Sequence, residues 1–282
     1  MFGKAAIIGV GLIGGSLARV FKNRGIAEKV TGSGRSRENM EKAVTLGIID
    51  ESLPAEEAVK DADLVFLCGP VKSILPTLEK IAPNIKKGAI VSDAGSTKKS
   101  IVDGAKIIAG GKFTFIGSHP IAGTEKSGAD ASFETLFDNH KCILTPDSDT
   151  PEKELELLKN VWKKAGMEIV IMTPERHDKI LGAVSHLPHF VVYALVNTVS
   201  DLDKESDLIK FAAGGFKDFT RIASSPPEMW ADIALENASV MGEQMEMMIE
   251  HLQIIREAIR ENDKEILLEI FGKSSSFRKK LP

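Results

Sequence analysis

The chain has 282 residues, enough for two modest domains or one large one, and its 43% hydrophobic and 27% charged residues are ordinary for a soluble globular protein. A net charge of -4 argues against a general nucleic-acid binder, and the short basic run Arg278-Lys279-Lys280 reads as a solvated end. Cys68 and Cys142, each in an apolar strand-like run, read as buried thiols rather than a disulfide scaffold; with no secretory signal and no apolar run judged long enough to span a bilayer, a cytoplasmic protein is expected.

Ala5-Ala6-Ile7-Ile8 predicts a buried strand, followed by Gly9-Val10-Gly11-Leu12-Ile13-Gly14-Gly15-Ser16 and an apolar helical pattern through Leu17, Val20 and Phe21. Strand, Gly-x-Gly-x-x-Gly, helix is the dinucleotide-binding arrangement. Gly9 permits the tight turn, Gly11 lets the backbone approach a pyrophosphate, and Gly14 lets helix and strand pack closely. Leu12 and Ile13 open the helix whose free N–H groups favour phosphate.

Further strands are predicted over 29–32, 64–67, 89–92, 113–116 and 142–144, with helical patterns over 37–46 and 74–85 among them. This alternation predicts a doubly wound α/β domain with a parallel sheet, whose ligands gather at the carboxyl ends of the strands. Three loops would then surround one crevice: Cys68-Gly69-Pro70, Asp93-Ala94-Gly95-Ser96-Thr97-Lys98 and Ser118-His119-Pro120. Pro70 and Gly95 join Gly9, Gly11, Leu12, Ile13 and Gly14 as expected cofactor contacts. A polar turn over 145–151, a helix over 152–165 and a last strand over 168–172 complete a dinucleotide-binding domain of residues 1–172. The remainder, 173–282, reads as an all-helical domain with helices over about 175–200, 228–262 and 266–271. Such bundles commonly supply a dimer surface. The run Met241, Met245, Met247 and Met248 reads either as that surface or as core.

Several residues could carry chemistry. A strand-ending acid that would bond an NAD ribose is missing: Gly34 stands in its place, followed by Arg35, Ser36 and Arg37, a group suited to the 2′-phosphate of NADP. The other reading leaves both arginines as surface charge, with NAD bound without the acid. His119 lies in a stretch rich in Gly and Ser, where an imidazole near its ordinary pKa serves as a general base or acid, or simply caps a loop. In Ser185-His186-Leu187-Pro188-His189, one histidine is expected to face the crevice while the other packs. Pro188 and the lack of a His-Glu-x-x-His pattern argue against a metal. Gly214-Gly215 are expected to end a helix in an unusual turn. Lys217 and Arg221 beside Thr220 suit a carboxylate ligand or a plain helix cap. Trp230 reads as core, interface or pocket lid.

Gly9-Val10-Gly11-Leu12-Ile13-Gly14-Gly15-Ser16, Asp93-Ala94-Gly95-Ser96-Thr97-Lys98, His119-Pro120-Ile121-Ala122-Gly123, Ser185-His186-Leu187-Pro188-His189 and Gly215-Phe216-Lys217-Asp218-Phe219-Thr220-Arg221 occur in that order. Together they resemble the prephenate/arogenate dehydrogenase family of tyrosine biosynthesis over nearly the whole chain. The resemblance implies an NAD(P)-dependent oxidative decarboxylation that leaves an aromatic ring, with prephenate favoured over arogenate. It implies that His119 accepts the hydroxyl proton, that Ser96 hydrogen-bonds the same region, and that Arg221 and His189 hold carboxylates. It also implies a polar gate of Glu125 and Asp218 and a Trp230 that reaches the neighbouring subunit's pocket of a homodimer. No appended mutase or ACT domain is expected. Two other readings stay open. A β-hydroxyacid or 6-phosphogluconate type of dehydrogenase would use a lysine, and Lys179 is the nearest but has an unmatched context. A non-enzymatic NADP sensor would need the glycine loop but not His119, Ser96 and Arg221 together.

Overall fold

The computed structural model describes residues 1–124, 126–203 and 207–281. Within it, β1 (Phe2–Ile8), β2 (Ala27–Ser33), β3 (Glu51–Ser52), β4 (Leu64–Leu67), β5 (Ile90–Asp93), β6 (Thr114–Pro120), β7 (Lys141–Thr145) and β8 (Glu168–Ile171) form one eight-stranded sheet in the order β3-β2-β1-β4-β5-β6-β7-β8. All neighbours run parallel except β6 and β7, which are antiparallel, so the expected parallel sheet carries one reversal. Among the described residues only one 3-10 turn (Glu134–Phe137) lies between those two strands, and without a longer helical crossover a parallel return is disfavoured.

Helices cover both faces: α1 (Leu12–Asn23), α2 (Arg37–Thr45), the single turn α3 (Ala55–Ala58), α4 (Val71–Ile81), α5 (Lys99–Ala109) and α6 (Glu152–Lys164). This two-sided burial explains the unbroken apolar runs of the central strands. Ala5 and Ile7 of β1, with Leu64 and Phe66 of β4, enter one apolar cluster, while Ala6, Ile8, Val65 and Leu67 enter the other. In the first cluster the Trp162 ring meets Phe66 and Phe137 edge-on at 5.5 and 5.6 Å.

The strand pairing also moves His119. β6 pairs with β5 only from Thr114 to Ile116, and pairs with β7 from Gly117 to Pro120. Its last residues therefore overhang the carboxyl end of β5. Ser118-His119-Pro120 is the end of a strand rather than the expected loop, with Ser118 and Pro120 buried. Backbone pairing with β7 satisfies polar groups that a loop would leave to water, which is why a Gly- and Ser-rich stretch is buried here.

After β8 the chain is helical: α7 (Pro174–Leu181), a π-helical turn (Gly182–His186), α8 (Leu187–Leu202), α9 (Gly214–Thr220), α10 (Pro227–Glu236), α11 (Ala238–Arg260) and α12 (Lys264–Arg278). Gly214 and Gly215 begin α9 instead of ending a helix, and neither has a positive φ. The helix expected over 228–262 breaks at Asn237, whose side chain turns into the junction with α7. Continuous helix from Pro174 to Leu202, with a window of mean hydropathy 1.4, is long and apolar enough by length and composition to cross a membrane, contrary to expectation. His186, Pro188 and His189 interrupt the apolar run in sequence but not the helix. Helices α8, α11 and α12 bury few residues: Val192 alone in α8, Met241 and Ala258 in α11, none in α12. By contrast, α10 sends Trp230 and Ile233 into the apolar cluster that holds Ile74 and Leu78 of α4, which seats the helical part against the sheet.

Candidate active site

The glycine loop is built by close approach. Gly9 has φ +104°, and a Cβ there would lie 2.8 Å from the Cys68 carbonyl carbon and 2.9 Å from the Gly69 nitrogen. A Cβ on Gly14 would lie 2.2 Å from the Gly9 carbonyl oxygen. Side chains at either position would therefore force apart the turn, the Cys68-Gly69-Pro70 segment and α1. Gly11 caps α1 with no side-chain partner and opens to free space, so the first N–H groups of α1, from Leu12 and Ile13 onward, remain for an anionic group. Asn39 fastens the loop from the other side, donating to the Val10 carbonyl at 2.7 Å and accepting from the Ala129 N–H at 2.8 Å. This cradle fits a dinucleotide.

At the end of β2, a Cβ on Gly34 would meet the Met40 sulfur at 2.7 Å, so an acidic side chain would need Met40 to move. Ser36 caps α2 by accepting from the Asn39 N–H, and Arg37 is paired with Glu41 at 2.7 Å. Arg35 is exposed beside them.

Across the sheet, Asp93 organises the second wall. Its carboxylate is fully buried, pairs with the fully buried Lys98, and accepts from the N–H groups of Gly95 at 2.8 Å and Ser118 at 3.1 Å. The Ser118 hydroxyl donates to the Asp93 carbonyl. These bonds tie the loop carrying half-buried Ser96 to the overhang carrying half-buried His119.

The His119 ring does not stand alone. Its Nδ1 lies 2.8 Å from Nε2 of His177, and Nδ1 of His177 lies 2.8 Å from Oδ1 of Asp178. The Asp178 carboxylate also accepts from the backbone N–H groups of Lys98 and Lys99, at 2.8 and 2.9 Å. Burial, then the nearby charges of His177, Lys98 and His186, pushes the His119 pKa well below the ordinary imidazole value. This corrects the expectation of an imidazole near its unperturbed pKa: the ring is neutral at pH 7 with a wide margin.

The π turn at Gly182–His186 precedes Pro188, which has no N–H to continue the helix ladder. In this widened turn the Ser185 carbonyl lies 2.9 Å from Nδ1 of His189, so that nitrogen carries the proton and Nε2 is left for a ligand. His189 stacks on Trp230, with ring centroids 3.6 Å apart and planes at 22°. Its pKa is lowered by burial, against the opposing bond to Ser185. His186 is the histidine that packs: buried, edge-on to Trp230 at 6.0 Å and 3.4 Å from the Asn237 amide, its pKa brought down to about 4 by burial and then by His177. Trp230 is itself buried in its own chain. Docking of α10 on α4 gives the indole an apolar bed, and its Nε1–H is buried without an acceptor among the described residues.

Arg221 starts a 3-10 turn directly after α9, and the Tyr193 hydroxyl of α8 bonds the Ser225 carbonyl just beyond it at 2.9 Å. Arg221 is therefore held beside the helix that carries His189. Asp218 is exposed on α9, and Glu125 lies outside the described residues. Sequence reasoning missed His177, Asp178, Asn237 and the structural role of Asp93. The only local signal was a His-Asp pair one turn after the Thr173-Pro174 helix start.

Two family models cover the chain. The nucleotide-binding domain of prephenate dehydrogenase matches residues 17–171, and its dimerization domain matches residues 173–273. A cyclohexadienyl dehydrogenase of Zymomonas mobilis is 38% identical over 99% of this chain and 96% of its own length. A prephenate dehydrogenase of Bacillus subtilis is 38% identical over 98% of this chain and 75% of its own. The crystal structure of prephenate dehydrogenase from A. aeolicus in complex with hydroxyphenyl propionate and NAD+ superposes with a TM-score of 0.91 at 39% identity, covering 100% of this chain and 99% of that one. With a glycine cradle and a neutral histidine at the carboxyl edge of one sheet, and these matches spanning both halves, the chain belongs to the prephenate dehydrogenase family.

Proposed function

We propose that this chain oxidatively decarboxylates prephenate to 4-hydroxyphenylpyruvate, using NADP in preference to NAD. The observation that carries this reading is His119, a neutral imidazole on the overhanging end of β6, at the same carboxyl edge of the sheet as the glycine loop after β1. When bound, the nicotinamide supplies the acceptor for the hydride that leaves the carbinol carbon. His119 takes the hydroxyl proton as that hydride departs. The ring carboxylate leaves as carbon dioxide, its bond electrons complete the aromatic ring, and His119 returns the proton to the phenolate. General-base assistance of this kind is typically worth about 10²–10⁴ in rate.

Ser96 hydrogen-bonds the reacting hydroxyl. Arg221 and a His189 protonated on binding hold the carboxylates, the indole face favouring the imidazolium. Asp218 and, as the resemblance implies, Glu125 serve as a polar gate. Pro70, Gly95 and the Gly9–Gly14 loop line the cofactor. Arg35, with Ser36 and Arg37, meets a 2′-phosphate, since no acid stands at Gly34. Residues 1–172 and 173–282 act as two domains. The weakly buried faces of α8, α11 and α12 are covered by a second copy in a homodimer, and unpaired Cys68 and Cys142 suit the cytoplasm.

The test is the rate of reduced-cofactor formation with prephenate and with arogenate, each with NAD and NADP. The highest kcat/KM is expected for prephenate with NADP. A higher value with arogenate or with NAD would reassign that choice alone, while no turnover in any combination would end the reading.

A further inference from the structure

We propose that His177 and Asp178 are positioning residues that lock His119 in its Nδ1–H tautomer and so reserve its Nε2 lone pair for the substrate hydroxyl. This inference rests on the reading of His119 as the base. The two residues take no proton from substrate themselves; they decide which nitrogen of His119 is able to.

Donor and acceptor arithmetic forces the assignment from one end. Asp178 is buried, and its two oxygens collect three N–H groups: two from the backbone at the start of α5 and one from the neighbouring ring. Burial alone would raise its pKa, but the hydrogen bond from His177 and those from the backbone outweigh it, and the carboxyl stays below its usual value. A carboxylate only accepts, so the proton at Nδ1 of His177 is fixed. Burial lowers the pKa of His177 despite the bond to Asp178, so that ring carries a single proton and its Nε2 is an acceptor. Nδ1 of His119 lies 2.8 Å from that acceptor and must donate. A neutral His119 then has its lone pair on Nε2.

The geometry also crosses the molecule. His119 and the two backbone donors belong to the sheet domain, while His177 and Asp178 belong to α7, the first helix after it. Asn237, at the break between α10 and α11, holds α7 in turn by donating to the Asp178 carbonyl at 3.0 Å. The ring of the base is therefore aimed only when the helical part is seated on the sheet. A carboxylate–imidazole relay that selects a tautomer is worth up to about 10⁴ in turnover where the base bonds the carboxylate directly. With a second ring interposed, a smaller factor is expected.

The test compares His177→Gln with His177→Leu. The Gln amide oxygen can accept from Nδ1 of His119, and Leu cannot. The Leu variant is expected to lose about 100-fold in kcat with KM for prephenate changed less than about 3-fold, and the Gln variant to recover to within about 10-fold of the parent. Equal losses in both, or no loss in Leu, would overturn the proposal. A measurement on the unsubstituted protein guards against misfolded variants. In ¹⁵N spectra of histidine-labelled protein, the signals lost in His119→Asn should show a protonated Nδ1 and an unprotonated Nε2, and the reverse pattern would overturn the lock. Should His119→Asn itself turn over normally, the reading of the base fails, whatever the tautomer.

Discussion

At the scale of single residues, the proposed base works because burial keeps His119 and its neighbours His177 and His186 neutral. His119→Asn should lower turnover by at least about 100-fold with cofactor affinity near normal, as measured by steady-state kinetics and cofactor titration. Because burial and the neighbouring His177, Lys98 and His186 all disfavour its charged form, the acid limb of kcat/KM for prephenate should fall well below pH 6.5; a limb at or above 6.5 would mean that His119 is not the titrating base. His186 makes the same point for stability. Its pKa is 6.5 unfolded and about 4 folded, so the unfolded chain binds the extra proton between those values. Its contribution is complete above pH 6.5 and is lost as pH falls toward 4, so urea midpoints should drop across that window. A His186→Leu variant that keeps the full drop would assign it to other groups, with His177, His189 and Asp178 the nearest. At the cofactor end, Arg35→Asp should move the NADP-to-NAD ratio of kcat/KM toward NAD by roughly 10- to 100-fold, the worth of one charge-assisted hydrogen bond. An unmoved ratio would show that Arg35 does not reach the 2′ position.

At the scale of elements, the loop after β5 and the end of β6 act as one unit because Asp93 and Lys98 are buried together. Lys98→Met leaves the Asp93 carboxylate with two backbone N–H groups and no cation. Breaking such a pair from one side costs about 3–5 kcal/mol, which denaturant unfolding would measure, and a loss under about 1 kcal/mol would contradict the burial. This unit also marks where sequence reading stopped. The run from β1 through the glycine loop into α1 was legible because every constraint in it is local: a turn needing positive φ, a helix packed on its own strand. The overhang of β6 was not, since pairing with β7 across 20 intervening residues decides whether Gly-Ser-His-Pro is strand or loop. Nor was the helix α5, whose start is set by Asp178 some 80 positions away rather than by a cap of its own. His119 and Ser96 were visible as residue types in a motif. His177, 58 positions on, was not, because only the docking of α7 brings its ring to Nδ1 of His119.

At the scale of the whole molecule, the two halves differ in how they are held together. The sheet domain buries large side chains on both faces, whereas α12 buries none and α11 exposes Leu252, Ile254 and Ile259 along with Leu268, Phe271 and Phe277 of α12. Each such side chain gains about 1.5–3 kcal/mol when fully buried, so leaving six about half exposed forfeits roughly 5–10 kcal/mol, comparable to the whole stability of a domain. In the homodimer proposed above, a second copy covering each face with its own equivalent would remove that cost, the self-complementary arrangement of a two-fold dimer. The same cover would also suit the apolar helix from Pro174 to Leu202, since α8 carries His189 on one side and leaves its other side weakly buried. Leu268→Glu with Phe271→Glu places two carboxylates from each copy in the seam. Sedimentation should then report a monomer at micromolar protein, and catalysis should fall as well, because α8, which carries His189, loses its cover. A variant that stays dimeric would move the seam off α12, and one that becomes monomeric with full activity would show that each copy's crevice is complete by itself.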